Sequence, residues 1–216
     1  MALKLYFHPL ASYCHKALIA LYENEVPFEP VVVNLGDERE RAAFKAIWPI
    51  GKFPVLRDEA HGRTIAESTV IIEYLAQHYP GKVELTPLDP DQARETRARD
   101  RFFDLYLHNQ LQKVILDRIR AEGQKDPQGV ADAQATIQTA LGMLEPEMAE
   151  REWAMGEHFS LADCAAAPPL YYIANYVQGY AATHPNVAAY LQRLQARPSY
   201  ARVLREAGPY LSMVPK

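Results

Sequence analysis

Three short segments in the first third of the chain combine residue types that can do chemistry. The first, Pro9-Leu10-Ala11-Ser12-Tyr13-Cys14-His15-Lys16, joins a strand-like run to a helix-like one. A hydroxyl beside a helix N-terminus, where unpaired N–H groups and the helix dipole favour negative charge, can stabilise an anion. A thiol of aqueous pKa about 8.5 needs roughly 2.7 kcal/mol of preferential thiolate stabilisation to drop two units. One charge-assisted hydrogen bond plus the helix end reaches that figure. Ser12 either supplies that bond or simply caps the helix. In the second segment, Gly51-Lys52-Phe53-Pro54, a proline stands directly before a strand. It is either a trans proline opening an edge strand or a cis one, which would turn the Phe53 N–H and carbonyl outward to pair with an extended peptide. In the third, Glu67-Ser68 begins a helix. The helix end suits a carboxylate and Glu67 an ammonium, so together they fit an α-amino acid head; the alternative is a cap and a dipole complement only.

The elements that must hold these segments can be read from periodicity. Residues 1–80 alternate: a strand over Leu3–Phe7, a helix from Ser12 to Tyr22, a strand over Phe28–Leu35, a helix over Asp37–Trp48, two strands around His61-Gly62, and a helix over Glu67–His78. The order β-α-β-α-β-β-α predicts a mixed sheet covered by helices. Residues 81–90 have a linker composition with Gly81, Pro87 and Pro90, and residues 91–216 read as all-helical. The first helix there is expected to run unbroken over Asp91–Glu122, and another over Asp132–Arg151 to be kinked by Pro146.

Composition narrows the function. The net charge of −4 does not segregate: residues 1–80 hold 8 Lys/Arg against 10 Asp/Glu, and residues 81–216 hold 15 against 17. No basic surplus marks a nucleic-acid partner. No stretch approaches the ~20 apolar residues of a membrane span, and the start lacks a secretory pattern, so the expected compartment is the cytoplasm. The two cysteines, Cys14 and Cys164, have neither disulfide-scaffold nor metal-ligand spacing, and no metal is expected.

Taken together, the three segments resemble the glutathione-binding domain of cytosolic glutathione transferases. That family has a Gly-Lys-x-Pro-type loop, here Gly51-Lys52-Phe53-Pro54, and an acid–serine pair thirteen residues on, here Glu67-Ser68. Gly156-Glu157-His158-Phe159-Ser160-Leu161-Ala162-Asp163 is similar to its helix-start signature in the helical domain. The resemblance implies a thioredoxin-like N-terminal domain and an all-α helical-bundle C-terminal domain. It implies that Phe53 pairs through its backbone with the cysteinyl part of glutathione, that Pro54 is cis, and that Glu67 and Ser68 hold the γ-glutamyl head. Lys52 is the candidate partner of the glycyl carboxylate.

The group that activates the thiol is open. The serine of serine-using classes aligns with Ala11, and Tyr6 is offset from the tyrosine of others. The order of candidates is Ser12, Tyr13, Cys14, with backbone N–H groups of the turn beside them. Phe102 and Tyr106, one face of a helix, either line the site of an apolar electrophile or belong to the core; Tyr171, Tyr172, Tyr210 and Met213 are further walls. Arg97, Asp100 and Arg101 either face the second subunit of the family's two-fold dimer or form a solvated helix face. The expected reaction is conjugation of glutathione to an apolar electrophile. Its rivals are glutathione-dependent peroxidase, isomerase, dehalogenase or thiol-disulfide reductase chemistry, and a non-catalytic glutathione-binding module.

Overall fold

The computed structural model describes residues 2–215. Strand β1 (Leu3–Phe7) lies at the centre of the N-terminal sheet, whose order is β2-β1-β3-β4 with β2 (Glu29–Val32), β3 (Val55–Asp58) and β4 (Arg63–Ala66). β1 runs parallel to β2 and antiparallel to β3, and β4 closes a hairpin on β3. Alternation along β1 decides its two faces. Leu3, Leu5 and Phe7 are buried in the main core with α1 (Ser12–Glu23) and α3 (Ser68–His78). Tyr6 packs on the other side against Phe44 of α2 (Glu38–Ile47), in a small cluster with Val33 and Val55. Its phenol is thereby committed to the α2 side of the sheet.

Beyond the sheet, the longer elements among the described residues are helical: α4 (Pro90–Phe102), a π-helical turn over Phe103–His108, α5 (Asn109–Arg118), α6 (Pro127–Glu150), α7 (Leu161–Tyr172) with a second π turn over Ile173–Val177, α8 (Pro185–Ala196) and α9 (Pro198–Ala207). The helix expected over Asp91–Glu122 is therefore broken into three pieces. A π turn takes one residue more than an α turn, so every residue after it presents a face about 100° away from that of a continuous helix. α6 continues through Pro146 to Glu150. α7 opens on a capping box in which Ser160 and Asp163 bond reciprocally.

One contiguous core spans both halves: Leu5 and Leu18 share it with Leu141, Ala165 and Tyr190. The sheet is thus backed by α1, which packs on α7. Among the described residues no helix is long and apolar enough to cross a membrane.

Candidate functional site

Two helix N-termini, those of α1 and α3, point at the same region, and neither has a side-chain cap. α2, α4, α6 and α7 are capped by Asp37, Asp89, Asp126 and Ser160, while α5, α8 and α9 also begin without a side-chain cap. Ser12 and Ser68 are not caps, contrary to one reading of each. Ala11 and Glu67 hold the N-cap positions, and both serines lie one residue inside their helices. The first N–H groups of both helices are left for another acceptor.

The loop before β3 supplies the wall between them. The Phe53–Pro54 bond is cis. Among the described residues, neither the N–H nor the carbonyl of Phe53 bonds to another protein group, so both can accept an added strand. Glu67 stands at φ 69°, ψ 119°, a left-handed conformation that an L-residue adopts at a cost of about 1–3 kcal/mol. Its side chain is exposed, while Ser68 beneath it is buried.

Phe53 separates two clefts and lines both. One, of about 380 Å³, is polar: Tyr13, Lys52, Pro54, Glu67, Ser68 and Arg101 surround it. The other, of about 370 Å³, is apolar: Leu111, Ile115, Leu116, Ile119, Tyr172 and Met213 line it, and Ser12 lies in its wall. Leu116, Ile119 and Met213 are unusually exposed for apolar side chains. A stripe at Leu111, Ile115 and Ile119 follows helical spacing, which from sequence reads as core. Phe102 and Tyr106 line neither cleft. They pack on one another at 5.6 Å, as their spacing predicts, with Tyr106 half exposed. Tyr172 and Met213 do line it; Tyr210 lies instead edge-on to His8 and lines a groove beside β2.

The three candidate thiol-activating side chains fare differently. The Ser12 hydroxyl is buried and lies 2.6 Å from His108 Nε2, and it accepts a bond from Gln112 Nε2 at 3.1 Å. Tyr13 donates its phenol to Asn109 Oδ1 at 2.8 Å, and its ring stacks on His108 with centroids 3.5 Å apart. Burial, then the Asp104 carboxylate, push the phenol pKa up, so Tyr13 stays protonated and is spent on Asn109. Cys14 is completely buried; desolvation pushes its thiol pKa far up against a weaker backbone hydrogen bond. That is the opposite of a reductase nucleophile. Sequence reasoning missed His108, Gln112 and Asn109, which reach α1 from the end of the π turn and the helix after it.

Behind the polar cleft lies a closed set of charges. Lys16, fully buried, contacts Asp100 Oδ1 at 2.6 Å, Asp104 Oδ2 at 2.8 Å and Thr69 Oγ1 at 2.8 Å. Arg101 pairs with the same two carboxylates from the cleft side. Asp100 is thus an interior residue and does not face a partner subunit; Arg97 pairs with Glu73 on the surface. Among the described residues no group of three or more His, Cys, Asp or Glu could hold a metal ion.

Family models for the glutathione S-transferase N-terminal and C-terminal domains match residues 5–83 and 96–198. The chain belongs to the glutathione S-transferase family. Among its relatives, the glutathione S-transferase GstB of Escherichia coli (strain K12) is 29% identical over 88% of this chain and 91% of its own length. A maleylacetoacetate isomerase of Pseudomonas aeruginosa is 26% identical over 78% of this chain and 80% of its own. Among solved structures, a glutathione S-transferase of Methylobacterium radiotolerans in complex with glutathione sulfonate superposes with a TM-score of 0.82. It has 28% identity and 93% of each chain is covered. The four-stranded mixed sheet followed by an all-helical half is the architecture of this transferase family.

Proposed function

We propose that the protein conjugates glutathione to apolar electrophiles. Glutathione would lie extended along Phe53, with its cysteinyl N–H and C=O on the free backbone groups and its γ-glutamyl head at Glu67 and Ser68. Lys52, exposed at the rim, would meet the glycyl carboxylate as a point charge. The observation that carries this reading is that Phe53 walls both clefts. A sulfur anchored there faces the apolar cleft and Ser12. The ionised sulfur attacks an electrophilic carbon; an S–C bond forms as the bond to the leaving group breaks, and that group departs with the electron pair. Rate would come from thiolate stabilisation and from holding both reactants together.

Half-exposed apolar residues at the outer edge of the polar cleft, Val70 and Leu105, support a two-fold dimer covering this face. The proposed setting is a cytoplasmic, detoxifying one. Conjugation of a generic aryl halide, followed by its absorbance change, tests the reaction. Tight glutathione binding without turnover would move the protein to isomerase, peroxidase or pure binding roles. No binding at millimolar glutathione would remove the reading entirely.

A further inference from the structure

Ser12 has one hydrogen and two lone pairs. Gln112 fills one lone pair. The contact with His108 Nε2 at 2.6 Å either fills the second or consumes the hydrogen, depending on which ring nitrogen is protonated. His108 is wholly buried, with the Tyr13 ring stacked on one face. Its charged neighbours are Asp104, which Lys16 and Arg101 neutralise, and Lys16 itself; His15 lies near as well. Desolvation first, then Lys16 and His15, hold the imidazole pKa well below its usual value, so the ring is neutral and carries one proton.

The location of that proton follows from the other nitrogen. His108 Nδ1 has no hydrogen-bond partner, and the nearest carboxylate oxygen, Asp104 Oδ1, is 3.9 Å away, beyond hydrogen-bond range. A proton on Nδ1 would leave a buried donor unpaired, which folded proteins tolerate less well than an unpaired acceptor. With the proton on Nε2, both lone pairs of Ser12 are filled, and at His108 only an acceptor, Nδ1, is left unpaired. The serine accepts twice, from His108 and Gln112, and its own hydrogen is left for the apolar cleft.

We propose that His108 is a positioning residue that donates through Nε2–H to Ser12 Oγ and so aims the Ser12 hydrogen at the sulfur of bound glutathione. It touches no reacting atom. Gln112 assists from the next helical turn. This rests on the conjugation reading above and deepens it.

The test titrates the thiolate absorbance of glutathione bound to the full protein, beside calorimetric binding of glutathione. His108→Leu removes the donor. At a pH below the bound thiol's pKa, its thiolate fraction should fall about tenfold, while the dissociation constant for glutathione changes less than threefold. His108→Gln, whose amide nitrogen reaches the Nε2 position, should restore most of the loss. In a Ser12→Ala background His108→Leu should have no further effect; a merely structural role would persist there. An unchanged thiol pKa in His108→Leu, or a Gln variant as impaired as the Leu one, overturns the proposal. Should the Leu variant fail to fold, nitrogen-15 spectra of labelled wild type decide: a proton on Nε2 is expected, and a proton on Nδ1 overturns it. Failure of wild type to bind glutathione would instead sink the conjugation reading.

Discussion

Ser12 and His15 lie three residues apart on α1, and each faces a different task. If Ser12 donates to the sulfur, Ser12→Ala should raise the bound thiol's pKa by about one to two units, the worth of one charge-assisted hydrogen bond. The sign fixes the pH profile. At pH 6.5 the variant should lose roughly 10- to 100-fold in kcat/KM; the gap should close towards pH 9, where the thiol ionises unaided. A gap constant from pH 6 to 9 would remove Ser12 from the role. His15 is structural. Its Nε2–H donates to the Pro9 carbonyl at 2.6 Å, and burial lowers its pKa to about 4. The unfolded chain, with an ordinary value near 6.5, binds the proton first as pH falls. Stability is therefore complete above about pH 6.5 and drains between pH 6.5 and 4, by on the order of 3 kcal/mol. Denaturant melts at pH 7 and pH 4.5 should show at least this loss, since His108 is depressed in the same window, and His15→Gln should remove His15's share of it.

At the scale of elements, the sheet and its helices were legible in the sequence, because strand and helix periods there are unambiguous and the prolines and glycines punctuate them; Lys52, Phe53, Pro54, Glu67 and Ser68, which line one cleft, were singled out only by the family resemblance of their segments. Part of what lay hidden follows from one local event. A π turn has no compositional signature, so a 3.6-residue period carried past Phe103 conceals His108 and Gln112, although Phe102 and Tyr106 do meet as that period predicts. The buried state of Asp100 was hidden as well, since a charged residue in a charged helix reads as surface. The capping box of α7 was readable, but its full load was not. Asp163 accepts from the Ala154 and Ser160 N–H groups at 2.8 Å each, from the Ser160 hydroxyl at 3.0 Å and from the Tyr190 phenol at 2.6 Å. Burial raises its carboxyl pKa and these donors pull it back. Asp163→Ala should cost roughly 3 kcal/mol or more, since several buried donors lose their acceptor together. Ser160→Ala should cost about 1 kcal/mol, an ordinary cap. Equal midpoints for the two variants in urea would contradict this ranking.

At the scale of the molecule, the two halves are joined by apolar packing, by polar ties such as the bidentate Arg197–Glu23 pair, and by one fully buried cation. Lys16 on α1 reaches Thr69 on α3, Asp100 on α4 and Asp104 in the π turn, so a single ammonium ties the sheet domain to the helical one. With Arg101 the four charged groups sum to zero, which is how such burial is sustained. Lys16→Met keeps the stem's volume but leaves Asp100 and Asp104 facing each other with only half-exposed Arg101 between them. The expected cost is about 3–5 kcal/mol, the usual penalty for removing one member of a buried pair. Neutralising the two acids as well, in Lys16→Met with Asp100→Asn and Asp104→Asn, should recover much of it, because no uncompensated charge then remains. Since one core runs through both halves, wild type should melt in a single transition. The Lys16→Met variant should melt lower and still as one unit if apolar packing alone suffices to couple the domains. Two separated calorimetric peaks in that variant would instead make the ammonium itself the coupling element. A melting temperature unchanged from wild type would mean that Asp104 takes up a proton without penalty, consistent with its burial-raised pKa, and that the network contributes little to holding the domains together.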